Sequence, residues 1–306
     1  MRRYRYHGVT VESPLALDLR IGSSPSGAAK VTVRPVAELK APAGKPVWAS
    51  PTTGYSFFSE SPEWCWLVKD HAYFVLTHEE ILVDPVPLDA GRMEYLGTSV
   101  LPLWLQLSGR PVLHAAAVCL GGGAVGLLAR SGGGKSTLAS ALVARGAGLL
   151  CDDHVVVHFE GGVGRVWSGR PDVRLWPDSA RRLGIDVDTL PRVVPSSEKR
   201  RVTLDVDDGS LPVSEWCPLK VVYVLKRCGG EDGGVSIETL PPAEALMALL
   251  ACGQMAGVSE MVGAGPQRLP PLARIVREIP VRRLSYPSAF EKLPDVCQAV
   301  ETDAAT

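Results

Sequence analysis

The sequence predicts an α/β fold with a mixed sheet, preceded by a small β-rich domain. Residues 1–88 form short alternating segments separated by Pro, Gly and Ser, the pattern of a β-rich domain. After residue 112, apolar runs of strand length alternate with helical patterns, as in an α/β domain. A glycine-rich turn at 129–137 joins one of these runs directly to a helix. We therefore predict a β-rich domain with a connecting helix at 1–108 and an α/β domain at 109–306.

The composition is that of a globular protein. With 306 residues, of which 46% are hydrophobic, the chain can bury the cores of two domains. The formal net charge of −1 gives no overall basic character, so we do not expect nucleic acid as a partner. The basic start Met1–Tyr6 is not followed by the apolar segment of a signal peptide, and His114 and several glycines interrupt the apolar stretch 112–128. We expect a cytoplasmic protein with no membrane partner.

The seven cysteines predict free thiols. They are scattered without a Cys-x-x-Cys pair, so we expect no zinc site. An odd number of cysteines in apolar surroundings favours unpaired core thiols in a reducing compartment. Their positions are 65, 119, 151, 217, 228, 252 and 297.

Apolar periodicity, with Gly and Pro as punctuation, predicts the elements in chain order. A helix over 93–107, kinked or restarted at Pro102, leads into the second domain. A hairpin turns at the glycines 121–123, and a helix of about three turns follows the glycine-rich turn and stops at Gly146. The hairpin strands are predicted at 112–120 and 124–128, further strands at 148–151, 154–160, 164–167, 202–206, 219–226 and 235–239, and further helices at 242–252, 271–278 and from residue 293.

Two segments are predicted to lack stable regular structure. The stretch 185–199 contains Pro, Asp and Ser and has little periodicity, so it is either a mobile active-site loop or a passive connection. The tail 301–306 is expected to fray.

The segment Ala129–Thr137 carries the pattern of a phosphate-binding loop. A strand that ends in a glycine-rich turn and opens into a helix directs backbone N–H groups and the positive end of the helix dipole at one point, where a polyphosphate can bind. In such a loop the lysine reaches the β and γ phosphates and the following hydroxyl binds Mg²⁺, which implies ATP and Mg²⁺ as cofactors. Ala129 stands where the pattern usually has glycine, and a flexible surface turn is the alternative. The expected phosphate-binding residues are Ser131, Gly132, Gly133, Gly134, Lys135, Ser136 and Thr137.

Two adjacent carboxylates follow the loop closely in sequence. Asp152 and Asp153 come directly after the predicted strand 148–151, at its carboxyl end, where α/β sheets place their ligand crevice. One carboxylate can accept a proton from an attacking hydroxyl while the other holds Mg²⁺ directly or through water. Because adjacent strand residues point to opposite faces, we expect the two to have different roles. The alternative is an Asx-type turn before His154.

Two further groups are candidates for the same site. If residues whose numbers sum to 244 face each other in the hairpin, His114 lies opposite Arg130 at the mouth of the loop, where it could assist a catalytic Asp. A structural histidine is the alternative. Lys199, Arg200 and Arg201 form either a solvated cluster or a phosphate clamp, and for the clamp we select Arg200.

These motifs, in this order, resemble the kinase domain of bacterial HPr kinase/phosphorylase over residues 110–240. The resemblance implies a P-loop fold akin to phosphoenolpyruvate carboxykinase and phosphorylation of a seryl hydroxyl. It also implies Asp152 as the base, His114 as its support, and Asp153, with Ser136, as metal ligand or support. Hexamers occur in that family, so homo-oligomerisation is left open. Thr137 departs from the acidic residue common in the family.

Two other segments, Tyr4–Ser13 and Arg174–Leu183, are similar to the HPr kinase-like proteins of lasso-peptide pathways. This similarity implies a ribosomal precursor peptide as the partner, phosphorylated on serine. Two alternatives remain: a small-molecule kinase acting on free serine or a sugar, and a regulator that binds nucleotide and hydrolyses it slowly. A transporter ATPase is disfavoured because no Leu-Ser-Gly-Gly-Gln signature follows the loop.

Overall fold

The computed structural model describes most of the chain and divides it into two compact units. The first contains Met1–Pro111, and the second contains Val112–Gly253 and Pro270–Thr306. Sequence analysis placed the division at 108/109. In the parts of the chain that are described, no helix is long and apolar enough to cross a bilayer. The described residues are 1–25, 28–40, 43–50, 54–61, 64–69, 72–84, 90–193, 197–203, 215–229, 233–253 and 268–306.

The first unit is built on a β-sheet of nine described strands in the order β3-β1-β2-β4-β9-β8-β7-β6-β5. Alternate residues of β2 and β4, such as Val11 and Val33, are fully buried, because successive side chains of a strand point to opposite faces. The strands are β1 Arg2–Tyr6, β2 Val9–Ser13, β3 Arg20–Ile21, β4 Lys30–Pro35, β5 Trp48–Ala49, β6 Ser56–Ser61, β7 Trp64–Lys69, β8 Ala72–Leu76 and β9 Glu80–Val83.

The predicted helix 93–107 is present, and it is irregular next to Pro102, as predicted. The helical segment consists of α1 (Ala90–Tyr95), a π-helical turn (Leu96–Val100) and α2 (Leu101–Leu107). Pro102 lies in the first turn of α2, directly after the π-helical turn. The helix therefore restarts next to Pro102, one of the two outcomes that the sequence predicted, and the irregularity is the π turn before it.

The second unit is mixed α/β. Its main sheet has the order β10-β14-β15-β18-β12-β11-β13, with β20 beside β18 and β19 beside β20. The strands are β10 Val112–Leu113, β11 Ala115–Leu120, β12 Gly123–Leu128, β13 Gly148–Cys151, β14 Val155–Glu160, β15 Val163–Trp167, β16 Asp172–Leu175, β17 Arg200–Thr203, β18 Trp216–Cys228, β19 Ser236–Thr239 and β20 Val281–Pro287; β16 and β17 form a separate ladder.

Helices cover both faces of this sheet. On β12, Val125 and Leu127 belong to a buried cluster with the helices α3 and α7. Ala124 and Leu128 belong to a second cluster, on the side of α5 and α6. This alternation along one strand gives a three-layer arrangement with the sheet in the middle. The helices are α3 Lys135–Ala144, α4 Pro177–Arg182, α5 Pro242–Ala251, α6 Leu269–Glu278 and α7 Leu293–Ala304, with a 3₁₀ turn at Phe290–Lys292.

The strands β12, β13, β18 and β20 of this sheet run in the same direction. β18 is parallel to β12, and β20 is parallel to β18. β13 is antiparallel to β11, which is antiparallel to β12, so β13 also runs with β12. The carboxyl ends of β13, β12, β18 and β20 therefore meet at one edge of the sheet, where α/β proteins place their ligand crevice. The amino end of β11 lies at the same edge.

The hairpin register differs from the predicted one by one residue. Leu128 faces Ala115 and Gly123 faces Leu120. The two-residue turn Gly121–Gly122 has positive φ at both positions, which is the geometry that suits the twist of a tight hairpin. His114 therefore lies just before β11. It does not pair with Arg130, contrary to the prediction.

Several other predictions needed correction. The strands β16 and β20 and the helix α4 were not predicted, and α7 extends through the tail that was expected to fray. The strand predicted at 202–206 is observed as β17, but residues 204–206 lie outside the described part of the chain.

Two cysteines that were predicted to be free are paired. Cys119 on β11 and Cys217 on β18 form a disulfide with their Cα atoms 6.4 Å apart, although 98 residues separate them. Their strands lie on either side of β12, a proximity that cysteine spacing does not reveal. Free thiols are found at Cys151, Cys228, Cys252 and Cys297.

Candidate active site

The glycine-rich loop connects the end of β12 to the start of α3. Gly132 and Gly134 have φ values of +79° and +91°, a backbone region in which glycine carries no steric penalty. A Cβ on Gly133 would lie 2.6 Å from the Cβ of Ala129, so this position needs glycine for space. Gly134 is the N-cap residue of α3. The free N–H groups of the first helical turn therefore open onto the loop, where an anion can bind.

Lys135 is buried beneath the loop. Its ammonium group donates hydrogen bonds to the carbonyl oxygens of Ala129, at 2.8 Å, and of Arg130, at 3.3 Å. Burial lowers the pKa of Lys135, and the negative charges of Asp152 and Asp153 partly oppose that shift. A desolvated cation in this position attracts a polyphosphate more strongly than one in water, because the local dielectric is lower.

Asp152 connects the loop helix to the end of β13. Its Oδ1 accepts a hydrogen bond from the Ser136 hydroxyl at 3.0 Å, and its Oδ2 accepts one from the backbone N–H of Arg174 at 3.0 Å. Sequence analysis predicted Ser136 and Asp153 as the residues of a metal site. In the structure, the Ser136 hydroxyl is hydrogen-bonded to Asp152.

Asp153 sits among cationic and imidazole groups. Its backbone is left-handed, with φ of +74°, so the chain turns sharply after Asp152. The carboxylate accepts a hydrogen bond from the Arg174 guanidinium at 2.7 Å and lies 3.2 Å from Nδ1 of His114. Because of this turn, both carboxylates line the same pocket, and the opposite-face expectation does not hold for their side chains.

The two carboxylates differ in their pKa. Burial, and then the negative charge of Asp153, raise the pKa of Asp152. Burial also acts to raise the pKa of Asp153, but the charge of Arg174 and the neighbouring imidazoles outweigh it and hold that pKa well below the usual range. One carboxylate of the pair is thus suited to accept a proton, and the other stays ionised.

The pocket around these residues extends to a wall that contains one member of the candidate clamp and an aromatic residue that the sequence did not single out. Lys199 and Trp176 both line it, and the Lys199 ammonium lies 5.5 Å from the centre of the Trp176 ring. Arg200, our choice for the phosphate clamp, is not among the lining residues; its guanidinium donates to the carbonyl of Glu198. Lys199 directly precedes β17, and it is this residue, not Arg200, whose side chain lines the pocket.

Other lining residues were also missed by sequence reasoning. Arg174 lies on β16, a strand that was not predicted, and only its place in the segment 174–183 could have drawn attention to it. Arg227 lies at the carboxyl end of β18, next to the loop. The position of Arg227 at the end of a strand parallel to β12 could have identified it as a residue of the site. The predicted site residues that line the pocket are His114, Ser131, Gly132, Gly133, Gly134, Lys135, Ser136, Thr137, Asp152 and Asp153.

Comparison with known proteins finds a similarity among solved structures. No protein-family model matches the chain, and no curated protein sequence matches it. Among solved structures, the chain is similar to the Hpr(Ser) kinase/phosphatase from Coxiella burnetii, with 11% identity and a TM-score of 0.36 over 63% of this chain and 96% of that chain. A similarity of this degree does not determine function, which we argue from the residues of the site.

We predict that Gly134→Ala disrupts nucleotide binding. A Cβ at this position would lie 2.9 Å from the hydroxyl of Tyr286, and the residue has φ of +91°. Gly162→Ala is a matched control, because Gly162 has φ of +81° but open space around its Cβ. Both variants should lose about 1–2 kcal/mol of stability from backbone strain. Titration with ATP should show at least a tenfold weaker affinity for the Gly134 variant alone; equal affinities would contradict the steric argument.

We also predict that His154 makes the protein less stable in mild acid. Burial lowers the pKa of His154 to about 4. Because the folded-state pKa lies below the unfolded-state value, stability falls as the pH drops from about 6.5 to about 4, by an amount on the order of 3 kcal/mol. Urea unfolding at several pH values should show a shallower pH dependence for His154→Gln than for the wild type. Parallel curves would assign the acid sensitivity to another group.

Proposed function

We propose that this protein is an ATP- and Mg²⁺-dependent kinase that phosphorylates a serine hydroxyl of a peptide, in particular a ribosomal precursor peptide of the lasso type. The observation that supports the reaction type is the contact between Ser136 and Asp152, with Asp153 and His114 beside them. Through these contacts, two carboxylates with different pKa values lie directly at the mouth of the glycine-rich loop.

The loop accounts for phosphate binding. The N–H groups at the start of α3 and the ammonium of Lys135 surround one point, which suits the β and γ phosphates of a nucleoside triphosphate. Lys199 and Arg227 line the same pocket, and they add positive charge along the phosphate chain.

The residues present fit a magnesium ion. Magnesium retains several waters and takes one or two protein oxygens together with phosphate oxygens. The Ser136 hydroxyl and the Asp pair are hard oxygen donors, and no group of three His, Cys, Asp or Glu side chains that could enclose a metal occurs among the described residues. We propose that Ser136 is one ligand and that ionised Asp153 supports the ion through water. When bound, the ion neutralises negative charge on the β and γ phosphate oxygens.

We assign the general base to Asp152, because burial and the charge of Asp153 raise its pKa and make it the more basic carboxylate of the pair. In the transfer, the acceptor oxygen forms a bond to the γ phosphorus while the bond to the β,γ-bridging oxygen breaks. ADP leaves with that electron pair, and the acceptor proton moves to Asp152. Asp153 keeps Arg174 and His114 in place beside the reacting groups.

The peptide acceptor rests on the sequence resemblance of Tyr4–Ser13 and Arg174–Leu183. One feature of the site is compatible with it: Trp176 lines the pocket yet is 49% exposed, and exposed aromatic rings commonly anchor peptides. ATP, Mg²⁺ and a newly made peptide occur together in the cytoplasm, and we propose that location. The oligomeric state stays open.

Two other functions fit the same loop. A kinase for free serine or a sugar would use the same base and metal. A slow nucleotide-binding regulator would bind ATP without transferring phosphate to a hydroxyl. Mass spectrometry of a serine-bearing precursor peptide incubated with the protein, ATP and Mg²⁺ distinguishes them: we expect the mass of one phosphate to be added to serine. Transfer only to free serine or a sugar, or no transfer at all, would contradict the proposal.

We predict that Asp152→Asn lowers the rate of transfer by about 10²–10⁴-fold and leaves ATP affinity within about threefold of the wild type. Single-turnover transfer and ATP titration measure the two effects. Asp178→Asn is the control, because its carboxylate is 91% exposed on α4 and should not change either quantity. If Asp152→Asn instead weakens Mg²⁺-dependent ATP binding, and Asp153→Asn carries the loss in rate, the roles of the two carboxylates are reversed.

A further inference from the structure

A second hollow lies against the glycine-rich loop, on the side away from the Asp pair. It has about 470 Å³ of empty space, including its open mouth, and shares Gly134, Thr137, Ser179 and Arg227 with the phosphate pocket. Its remaining wall is largely apolar and comes from the carboxyl end of β20, the 3₁₀ turn and α7. The two hollows are therefore continuous at the start of α3.

The strand order fixes which side of the loop each hollow occupies. From β12, the strand β13 with the Asp pair lies in one direction, beyond β11, and β18 and β20 lie in the other. In such a loop the backbone N–H groups hold the α and β phosphates and the lysine reaches the β and γ phosphates, so with the γ phosphate at the catalytic carboxylates the α phosphate lies away from them. Whatever is attached to the α phosphate then lies on the side of β18 and β20.

We propose that this hollow binds the nucleoside of the nucleoside triphosphate, with the base between Phe290 and the side chains of the β20 end. The proposal rests on the proposed function, because it requires a triphosphate on the loop. Phe290 and Leu293 provide apolar surface for a planar base. The guanidinium of Arg182 lies 5.5 Å over the Phe290 ring, so one face of that ring is partly covered and the rest is available to the hollow.

Two residues mark the boundary between nucleoside and phosphates. Arg227 is a register partner of Tyr286 across β18 and β20, and both lie at the edge where β12 ends. The Tyr286 hydroxyl donates to the Gly133 carbonyl at 3.4 Å, so the wall of the hollow is hydrogen-bonded to the phosphate loop itself. A ligand that spans both hollows passes between Arg227 and the start of α3, where a guanidinium can pair with its phosphate oxygens.

The test compares ATP with inorganic tripolyphosphate, which carries the phosphates without a nucleoside. Ala289→Trp places an indole at the hollow, and Ala305→Trp, at the exposed end of α7, is the matched control. By calorimetry with Mg²⁺, we expect Ala289→Trp to weaken ATP binding at least tenfold and to leave tripolyphosphate binding within about threefold. The control should change neither, and Lys135→Ala should weaken both.

The outcomes separate the two proposals. If Lys135→Ala weakens both ligands but Ala289→Trp leaves ATP affinity unchanged, the nucleoside lies elsewhere and this inference is wrong, while phosphate binding at the loop stands. If the wild type binds neither ligand, the proposed function fails first.

Photolabelling of the wild-type protein tests the same inference without a substitution. An azido group on the adenine of ATP should attach to the tryptic peptide that runs from Leu284 to Lys292, which includes Tyr286 and Phe290. Excess ATP should suppress the labelling. Specific labelling of a peptide that contributes nothing to the hollow would overturn the assignment.

Discussion

The candidate site depends on one constraint, which is the common direction of β13, β12, β18 and β20. Backbone pairing fixes the order of these strands, so their carboxyl ends deliver different groups to one edge: the Asp pair, the glycine-rich loop, Arg227 and Tyr286. The antiparallel strand β11 begins at this edge, and His114 precedes it directly. Gly133 and Tyr286, which are 153 residues apart in sequence, thus become neighbours. Packing of helices on both faces of the sheet holds this edge rigid.

Within the site, Arg174 gives two adjacent carboxylates different chemistry. Its backbone N–H binds Asp152 and its guanidinium binds Asp153. The guanidinium charge favours the ionised form of Asp153, whereas Asp152 feels burial and its neighbour's negative charge. Left-handed backbone at Asp153 makes the arrangement possible, because it turns both side chains into one pocket. Strain of this kind is tolerated where surrounding contacts over-determine the conformation, and it clusters at functional positions.

The features set by local sequence were predictable. The loop, the helix α3, the strand β13 and the position of the Asp pair all follow from short-range patterns of glycine, apolar residues and acidic residues. The features that the sequence did not predict depend mainly on contacts between distant parts of the chain. The strand β20 contains two arginines among its apolar residues, which hides its alternation, and Arg174 acquires its role only through the fold. The predicted hairpin register was wrong by one residue. Gly121 and Gly122 alone form the turn, and the third glycine, Gly123, already pairs with Leu120.

The strand β11 has a consequence for the scale of the reaction centre. It lies between β12 and β13, so those two strands are separated by two strand spacings, or about 10 Å. With β11 as a spacer, the gap is bridged by side chains, as the 3.0 Å contact of Ser136 with Asp152 shows. A serine side chain and an aspartate side chain therefore together span the width of one inserted strand.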